Sequence, residues 1–185
     1  MGSASSVNNV RRRLTAWLTL LAGRASGLEL EVELLGAPSS RSNDPYGQFG
    51  LSTPTLDADA ARAQLVALAR LWMRLRSEPL PLFEHTSLNV ATVLHEEEVE
   101  VDAAAAGEPS SASYAAAREG MHGGYSGRAD LHDPYTAAVF HAYDIEHGLA
   151  QEGNDSVRGL AARLWLPLLK AVEDRESFEG RWRRP

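Results

Sequence analysis

Apolar residues recur every three or four positions in several segments of the chain, which predicts amphipathic helices separated by polar loops. The predicted helices cover residues 9–26, 55–77, 86–94, 133–148 and 157–175, with a further helical turn at 114–119. Gly27 is placed to end the first helix in a left-handed turn. Asp133 followed by Pro134 is a strong helix start, and Pro167 is expected to bend or restart the last helix.

One segment alternates with period two instead, which predicts a half-buried β-strand over 28–35. One face carries Leu28, Leu30, Val32 and Leu34, and the other carries Glu29, Glu31 and Glu33. A loop rich in Ser, Pro, Asn and Gly follows, and a short partner strand at 49–54 would close a hairpin. The helix at 55–77 is expected to start at Thr55 or Asp57, and its predicted buried stripe is Ala61, Leu65, Leu68, Trp72 and Leu75. Trp17 and Trp165 also lie on helical stripes, where core packing is expected.

Residues 78–83, EPLPLF, form what we call the proline strap. Pro79 and Pro81 cannot donate backbone hydrogen bonds, and each biases the preceding residue toward an extended backbone. The chain is therefore expected to leave the helix as a straight, rigid and apolar segment. An ordinary linker would be polar and rich in Gly and Ser, so this segment is expected to lie against another surface.

Composition narrows the class of protein. At 185 residues and 44% hydrophobic, the chain is long enough for one compact domain that buries about 70% of its unfolded surface. No segment approaches the roughly 20 apolar residues of a membrane span, which predicts a soluble protein that makes no membrane contact. The absence of cysteine excludes disulfides and thiolate chemistry and fits the cytoplasm. A net charge of −7 argues against a nucleic-acid clamp.

The predicted organisation is a single domain over residues 9–178. Residues 1–8 are expected to be a tag or a disordered N-terminus, and 95–112 an acidic, low-complexity and flexible segment of little regular structure. Residues 179–185 form a basic tail. Its candidate nucleic-acid contacts are Arg181, Trp182, Arg183 and Arg184, although a frayed terminus explains them more simply.

Two constellations invite a catalytic or metal-binding interpretation, and neither is complete. Metal-dependent nucleases combine carboxylates with a lysine on adjacent strand positions. Glu29, Glu31 and Glu33, which we call the glutamate ladder, have no such lysine, because the only lysine in the chain is Lys170. A solvated strand face is the simpler explanation. His141, Asp144 and His147 lie at i, i+3 and i+6, whereas zinc sites favour a histidine pair at i, i+4. We therefore expect surface or capping roles, with no catalytic residue, no metal site and no cofactor.

The order of these motifs resembles the C-terminal domain of the RecC family, the gamma chain of exodeoxyribonuclease V in the RecBCD complex. The similarity extends over about residues 10–175. After the first helix, the hairpin and the second helix, it continues through four segments: EPLPLF with TSL two residues later, AAAREGMHGG at 115–124, Asp133-Pro134-Tyr135, and LAARLWLPLLKAV at 160–172. Met121 and His122 depart from the family pattern.

The resemblance implies an α/β (α+β) domain with a restriction-endonuclease-like but inactive core, in which a small sheet is flanked by helices. The chain is too short for a whole RecC, so it is expected to be an excised domain. The family threads unwound DNA, takes part in Chi recognition and scaffolds its partner subunits RecB and RecD. Its C-terminal domain is associated with RecD, and the domain is expected to meet DNA as part of the complex.

Within that resemblance, Leu80, Leu82 and Phe83 become candidate packing or partner anchors. Two other functions stay open: an active metal-dependent nuclease domain, and an acidic protein that inhibits a DNA-binding enzyme.

Overall fold

The computed structural model describes residues 10–36, 47–51, 56–123 and 129–173. The elements in chain order are α1 (Val10–Ala25), β1 (Val32–Gly36), β2 (Gly47–Leu51), α2 (Ala58–Leu75), α3 (Glu84–Glu96), α4 (Val101–Ala106), α5 (Ser111–His122), a 3₁₀ turn (Asp130–His132), α6 (Pro134–Phe140), α7 (Ile145–Ala150) and α8 (Val157–Glu173). Helices combined with a small sheet agree with the predicted α/β or α+β class. The finer expectation of a restriction-endonuclease-like core stays a prediction.

The chain divides into two compact units. Unit 1 comprises Met1–Trp72 and Lys170–Pro185, and unit 2 comprises Met73–Leu169. The divisions fall inside two helices, near the end of α2 and near the end of α8. Whether the two units make up the single domain expected over residues 9–178 stays a prediction.

In unit 1, α1 packs against the β-hairpin and ends as the glycine pattern predicts. Gly27 has φ +79°, and the Leu28 amide donates to the Gly23 carbonyl at 3.0 Å, which closes the helix end. Strands β1 and β2 pair antiparallel, with Leu34 opposite Phe49, so the predicted hairpin is confirmed. Its second strand begins at Gly47, two residues before the predicted start, and residues 52–54 of the prediction lie outside the described ranges. The predicted start of the strand is wrong. Leu28 is 59% exposed and its amide serves the helix cap, so pairing begins only at Val32.

Helix α2 begins where the cap predicts, but its buried side differs from the predicted stripe. The Ala60 amide donates to the Asp57 carboxylate at 2.7 Å, and Ala61 is buried. Trp72 is 58% exposed, whereas its neighbour Leu71 is buried. Apolar residues lie on several sides of this helix, so periodicity alone identifies more than one stripe, and tertiary packing selects among them.

Unit 2 is built around the contact between α3 and α5. Gly120 allows the close approach, because a Cβ atom there would lie 2.6 Å from the Thr86 backbone nitrogen. Helix α5 also contacts α7 and the 3₁₀ turn. The larger buried apolar side chains of unit 2 are Phe83, Val90, Leu94, Met121, Ile145, Leu149, Val157, Leu160, Trp165, Leu166 and Leu168.

The acidic segment at 95–112 is more regular than its composition predicts. It contains α4, whose Ala104 is buried, and the Gly153 amide donates to the Ala105 carbonyl at 2.7 Å. Alanine has the highest helix propensity of all residues, and here it also packs inward. Ser110 then caps α5 by accepting from the Ser113 amide, so α5 is longer than the predicted turn at 114–119.

The long helix predicted at 133–148 is wrong, because the structure forms two short helices there. Asp133 caps α6 through the Tyr135 and Thr136 amides, as predicted. Asp144 then caps α7 through the Glu146 and His147 amides, each at 3.0 Å. A capping residue has an extended backbone, so Asp144 ends the first helical segment and begins the next.

The last helix, α8, is continuous through Pro167, so the helix does not restart there. Among the described helices, none is both long enough and apolar enough to cross a membrane.

Candidate functional site

The proline strap follows α2 and consists of two tight turns. The Leu80 amide donates to the Glu78 carbonyl at 2.9 Å, and the Leu82 amide donates to the Leu80 carbonyl at 2.8 Å. Hydrogen bonds between residues i and i+2 define γ-turns, which are centred here on Pro79 and Pro81. The φ of proline suits such turns. The strap is therefore ordered as predicted, but it is a double turn and not a straight segment.

Phe83 closes the strap and is buried inside unit 2. Its ring makes edge-to-face contacts with Phe140 at 4.8 Å and with Tyr143 at 5.7 Å between ring centroids. We call these three rings the aromatic cluster, and such pairs are each worth about 0.5–1.5 kcal/mol beyond area burial. Burial, with a smaller effect from the neighbouring Asp144, raises the pKa of Tyr143. Leu80 and Leu82 are half-buried, and their role as anchors stays a prediction.

The start of α3 is held by a carboxylate from another part of unit 2. Phe83 occupies the N-cap position and has no capping side chain. Asp130, buried in the 3₁₀ turn, accepts from the His85 amide at 2.9 Å and from the Thr86 amide and hydroxyl, each at 2.7 Å. A negative charge at a helix N-terminus is stabilised by the helix dipole. Asp130 therefore supplies the missing cap and fixes the end of the strap.

A second buried connection joins the same helix start to α8. Trp165 Nε1 donates to Ser87 Oγ at 2.8 Å, and Ser87 Oγ donates to the Phe83 carbonyl. Trp165 and Trp17 are both buried, as their positions on helical stripes predicted. The hydrogen bonds satisfy polar groups that would be costly to bury alone.

The beginning of the strap is held by an ion-pair network at the surface. The Arg74 guanidinium donates to both oxygens of Asp155, at 2.8 and 3.0 Å, and to Glu78 at 2.8 Å. These hydrogen bonds raise the pKa of Arg74 and lower the pKa of Asp155. Arg74 and Asp155 are 81 positions apart in the sequence, so no local pattern indicates that they pair.

The sequence also does not indicate that one arginine is buried. Arg158 of α8 is 4% exposed, and its guanidinium donates to the Gly107 carbonyl at the end of α4. Burial lowers the pKa of Arg158. The side chain therefore ties α8 to the acidic segment.

The described residues do not assemble the chemistry that the two constellations invited. No group of three or more His, Asp or Glu side chains in the described ranges is arranged to hold a metal ion. Glu31 and Glu33 are exposed, and Glu29 and Glu31 precede β1. His141 lies between α6 and α7, so the predicted i, i+3, i+6 spacing on one helix is wrong. Arg181, Trp182, Arg183 and Arg184 lie outside the described residues.

A shallow cavity of about 380 Å³ lies elsewhere in unit 2 and is lined by Ser111, Tyr114, Arg118 and Glu146. Arg118 and Glu146 pair across it at 3.1 Å and are both exposed. At the end of the strap, the Thr86 hydroxyl and the Asp130 carboxylate are both buried and serve the cap of α3. The strap is held by hydrogen bonds and a ring contact at its two ends.

Comparison with known families identifies the same region. Residues 3–95, about half of the 185-residue chain, match the family model of the RecC C-terminal domain. The matched range includes the hairpin, α2, the proline strap and nearly all of α3. The motifs at 115–124, 133–135 and 160–172 lie outside it. No curated protein and no solved structure is significantly similar to the chain.

Proposed function

The chain belongs to the RecC C-terminal domain family, and from this premise we propose that it is a non-catalytic assembly domain of the RecBCD helicase–nuclease. In that role it takes part in processing DNA double-strand breaks for recombinational repair in the cytoplasm. Its partners are the RecB and RecD subunits, with RecD docked by this domain, and DNA is reached through the complex. Its core is a restriction-endonuclease-like fold without catalytic residues.

The observation that carries the proposal is the family match over residues 3–95, which includes the proline strap. The strap is held at one end by the Arg74 network and at the other by Phe83 and the Asp130 cap. A rigid segment loses little conformational entropy on binding, so preorganisation favours docking. Leu80 and Leu82 keep part of their surface on this rigid segment.

The absence of a lysine beside the glutamate ladder supports a non-catalytic role. In the structure these glutamates are exposed, and only Glu33 lies within β1. Exposed carboxylates are ordinary surface residues of a folded protein and need no catalytic explanation.

A pull-down against immobilised RecB and RecD tests the assembly role. We expect the folded chain to be retained by RecD, because the proposal makes RecD its docking partner. Circular dichroism before and after the experiment verifies that the chain is folded. Folded chain that neither subunit retains would contradict the proposal.

A cleavage assay separates the assembly role from an active nuclease. Single- and double-stranded DNA are incubated with the chain with and without Mg²⁺, next to a Glu31→Ala variant. We expect no metal-dependent cleavage from either protein. Cutting that needs Mg²⁺ and is abolished in Glu31→Ala would establish the nuclease function instead. Binding to a DNA-processing enzyme in competition with DNA would instead favour the inhibitor function.

A further inference from the structure

Helix α6 presents an apolar face to solvent next to the aromatic cluster. Tyr135 and Val139 are 83% and 61% exposed, and their i, i+4 spacing places them on one side of the helix. Phe140, at the end of the same helix, packs against Phe83. Helix α6 therefore contacts the end of the proline strap through Phe140.

The two segments that form this region contain acidic side chains but no lysine or arginine. Residues 78–84 and 130–146 contain six carboxylates and no lysine or arginine: Glu78, Glu84, Asp130, Asp133, Asp144 and Glu146. Asp130 is buried, and Glu78 and Glu146 have arginine partners in neighbouring segments. Asp133 and Asp144 are exposed helix caps on either side of α6.

The charge imbalance extends over the whole of unit 2. Its sequence has 15 Asp and Glu against 6 Arg, whereas the remainder of the chain has 10 acidic and 12 basic residues. The net charge of −7 therefore arises entirely in unit 2. Such a field attracts basic surfaces and repels phosphates.

These observations select one kind of occupant. Nucleic acid is disfavoured because its backbone phosphates would meet carboxylates. A second copy of this chain is disfavoured for the same reason, since like charges would face each other across the interface. A protein surface with an apolar centre and a basic rim satisfies both the exposed side chains and the carboxylates around them.

We propose that Tyr135 and Val139 of α6 form a docking surface for a partner protein whose contact region is apolar at its centre and rich in Lys or Arg at its rim. We call this the α6 surface. The inference rests on the proposed assembly function and adds to it the surface and the chemistry of the partner. Tyrosine is among the residues that most often dominate binding energy at interfaces.

The first test measures binding of the full chain to immobilised RecB and RecD subunits. The double variant Tyr135→Ser/Val139→Ser should bind at least about tenfold more weakly than the native chain, because it removes both apolar contacts. Val66→Ser is the matched control, since Val66 is also a valine on a helix and is 44% exposed. It should bind like the native chain. Thermal unfolding by circular dichroism verifies that all three proteins are folded.

The second test examines the basic rim with a matched pair of charges. Val139→Lys and Val139→Glu both remove the apolar contact, but only lysine would repel a basic rim. We expect Val139→Lys to bind more weakly than Val139→Glu, with a difference that shrinks as salt screens the charges. Equal binding, or weaker binding by Val139→Glu, would overturn the assignment of a basic rim.

The outcomes separate this inference from the proposed function. If the native chain is retained and the double variant binds as well as Val66→Ser, the α6 surface is not the docking site although the assembly role stands. If neither subunit retains the native chain, the assembly role itself fails. Self-association, or DNA binding, that the double variant abolishes would assign the surface to a second copy or to nucleic acid and overturn the inference.

Discussion

At the scale of single residues, Asp130 shows how a buried carboxylate stabilises this region. It caps α3 from a position 45 residues away from His85 and serves three donors at once. Asp133 and Asp144 do the same for α6 and α7 but lie directly before their helices. The adjacent cap Asp133 was predictable from the Asp-Pro motif. The remote cap Asp130 was not, because nothing in its own neighbourhood indicates which helix it meets.

Replacing Asp130 with asparagine tests this cap. The amide group would present its own N–H toward one of the backbone donors, so Asp130→Asn should lower the free energy of unfolding by about 1–3 kcal/mol. Urea denaturation followed by circular dichroism measures the change. Asp133→Asn is the control, because asparagine is as good an N-cap as aspartate at an exposed helix start. Equal loss of stability in both variants would show that Asp130 has no special role.

At the scale of elements, local signals place most helices and tertiary contacts decide where they stop. The cap of α2 and the glycine end of α1 follow their motifs. The helix expected over 133–148 is divided at Asp144, whose carboxylate accepts from the amides of the next helix. Phe140 and Tyr143, on the N-terminal side of this break, pack on Phe83. Hydrophobic periodicity continues across this break, so the pattern alone predicts one helix where the structure has two.

The contact between α5 and α3 gives a prediction at this scale. In Gly120→Ala the new Cβ would meet the backbone of Thr86, which cannot move aside cheaply. We expect a loss of about 1–3 kcal/mol in unfolding free energy, the usual cost of overpacking. Chemical denaturation measures it.

Gly23→Ala in α1 is the matched control for that substitution. The atoms nearest to its Cβ would all belong to the Leu30 side chain, which can change rotamer. The gain in helix propensity, about 1 kcal/mol, should offset most of its cost. A Gly120→Ala protein as stable as Gly23→Ala would contradict the close packing of α5 on α3.

At the scale of the whole molecule, the two units differ in net charge. Unit 2 holds the excess of carboxylates, and the basic residues of the C-terminal tail belong to the rest of the chain. The family match supports the proposed assembly role, and the acidic charge of unit 2 is expected to favour basic protein surfaces as partners. Direct contact with DNA is therefore expected to be weak.

DNA binding by the full chain provides the corresponding measurement. Fluorescence anisotropy at about 50 mM salt should detect weak binding that replacing Arg181, Arg183 and Arg184 with alanine removes. If an arginine neutralises a phosphate, its replacement should make the slope of log K against log salt shallower by about 0.9. Arg11, Arg12 and Arg13 replaced together are the matched control. Loss of binding in the control alone would place the nucleic-acid interface in α1 instead of the tail.

Sequence alone determined what depends on neighbouring residues. It predicted α1 with its end at Gly27, the hairpin, the cap at Asp133, the burial of Trp17 and Trp165, the position of the proline strap and the family. The structural features follow from backbone preferences and hydrophobic period, which act within a few residues. The family follows from the order of the motifs along the chain.

Only the tertiary structure decided the remainder: the exposure of Trp72, the remote cap by Asp130 and the pairing of Arg74 with Asp155, 81 residues apart. A hydrogen bond or ion pair between distant segments exists only after the chain has folded. No local pattern encodes such a contact.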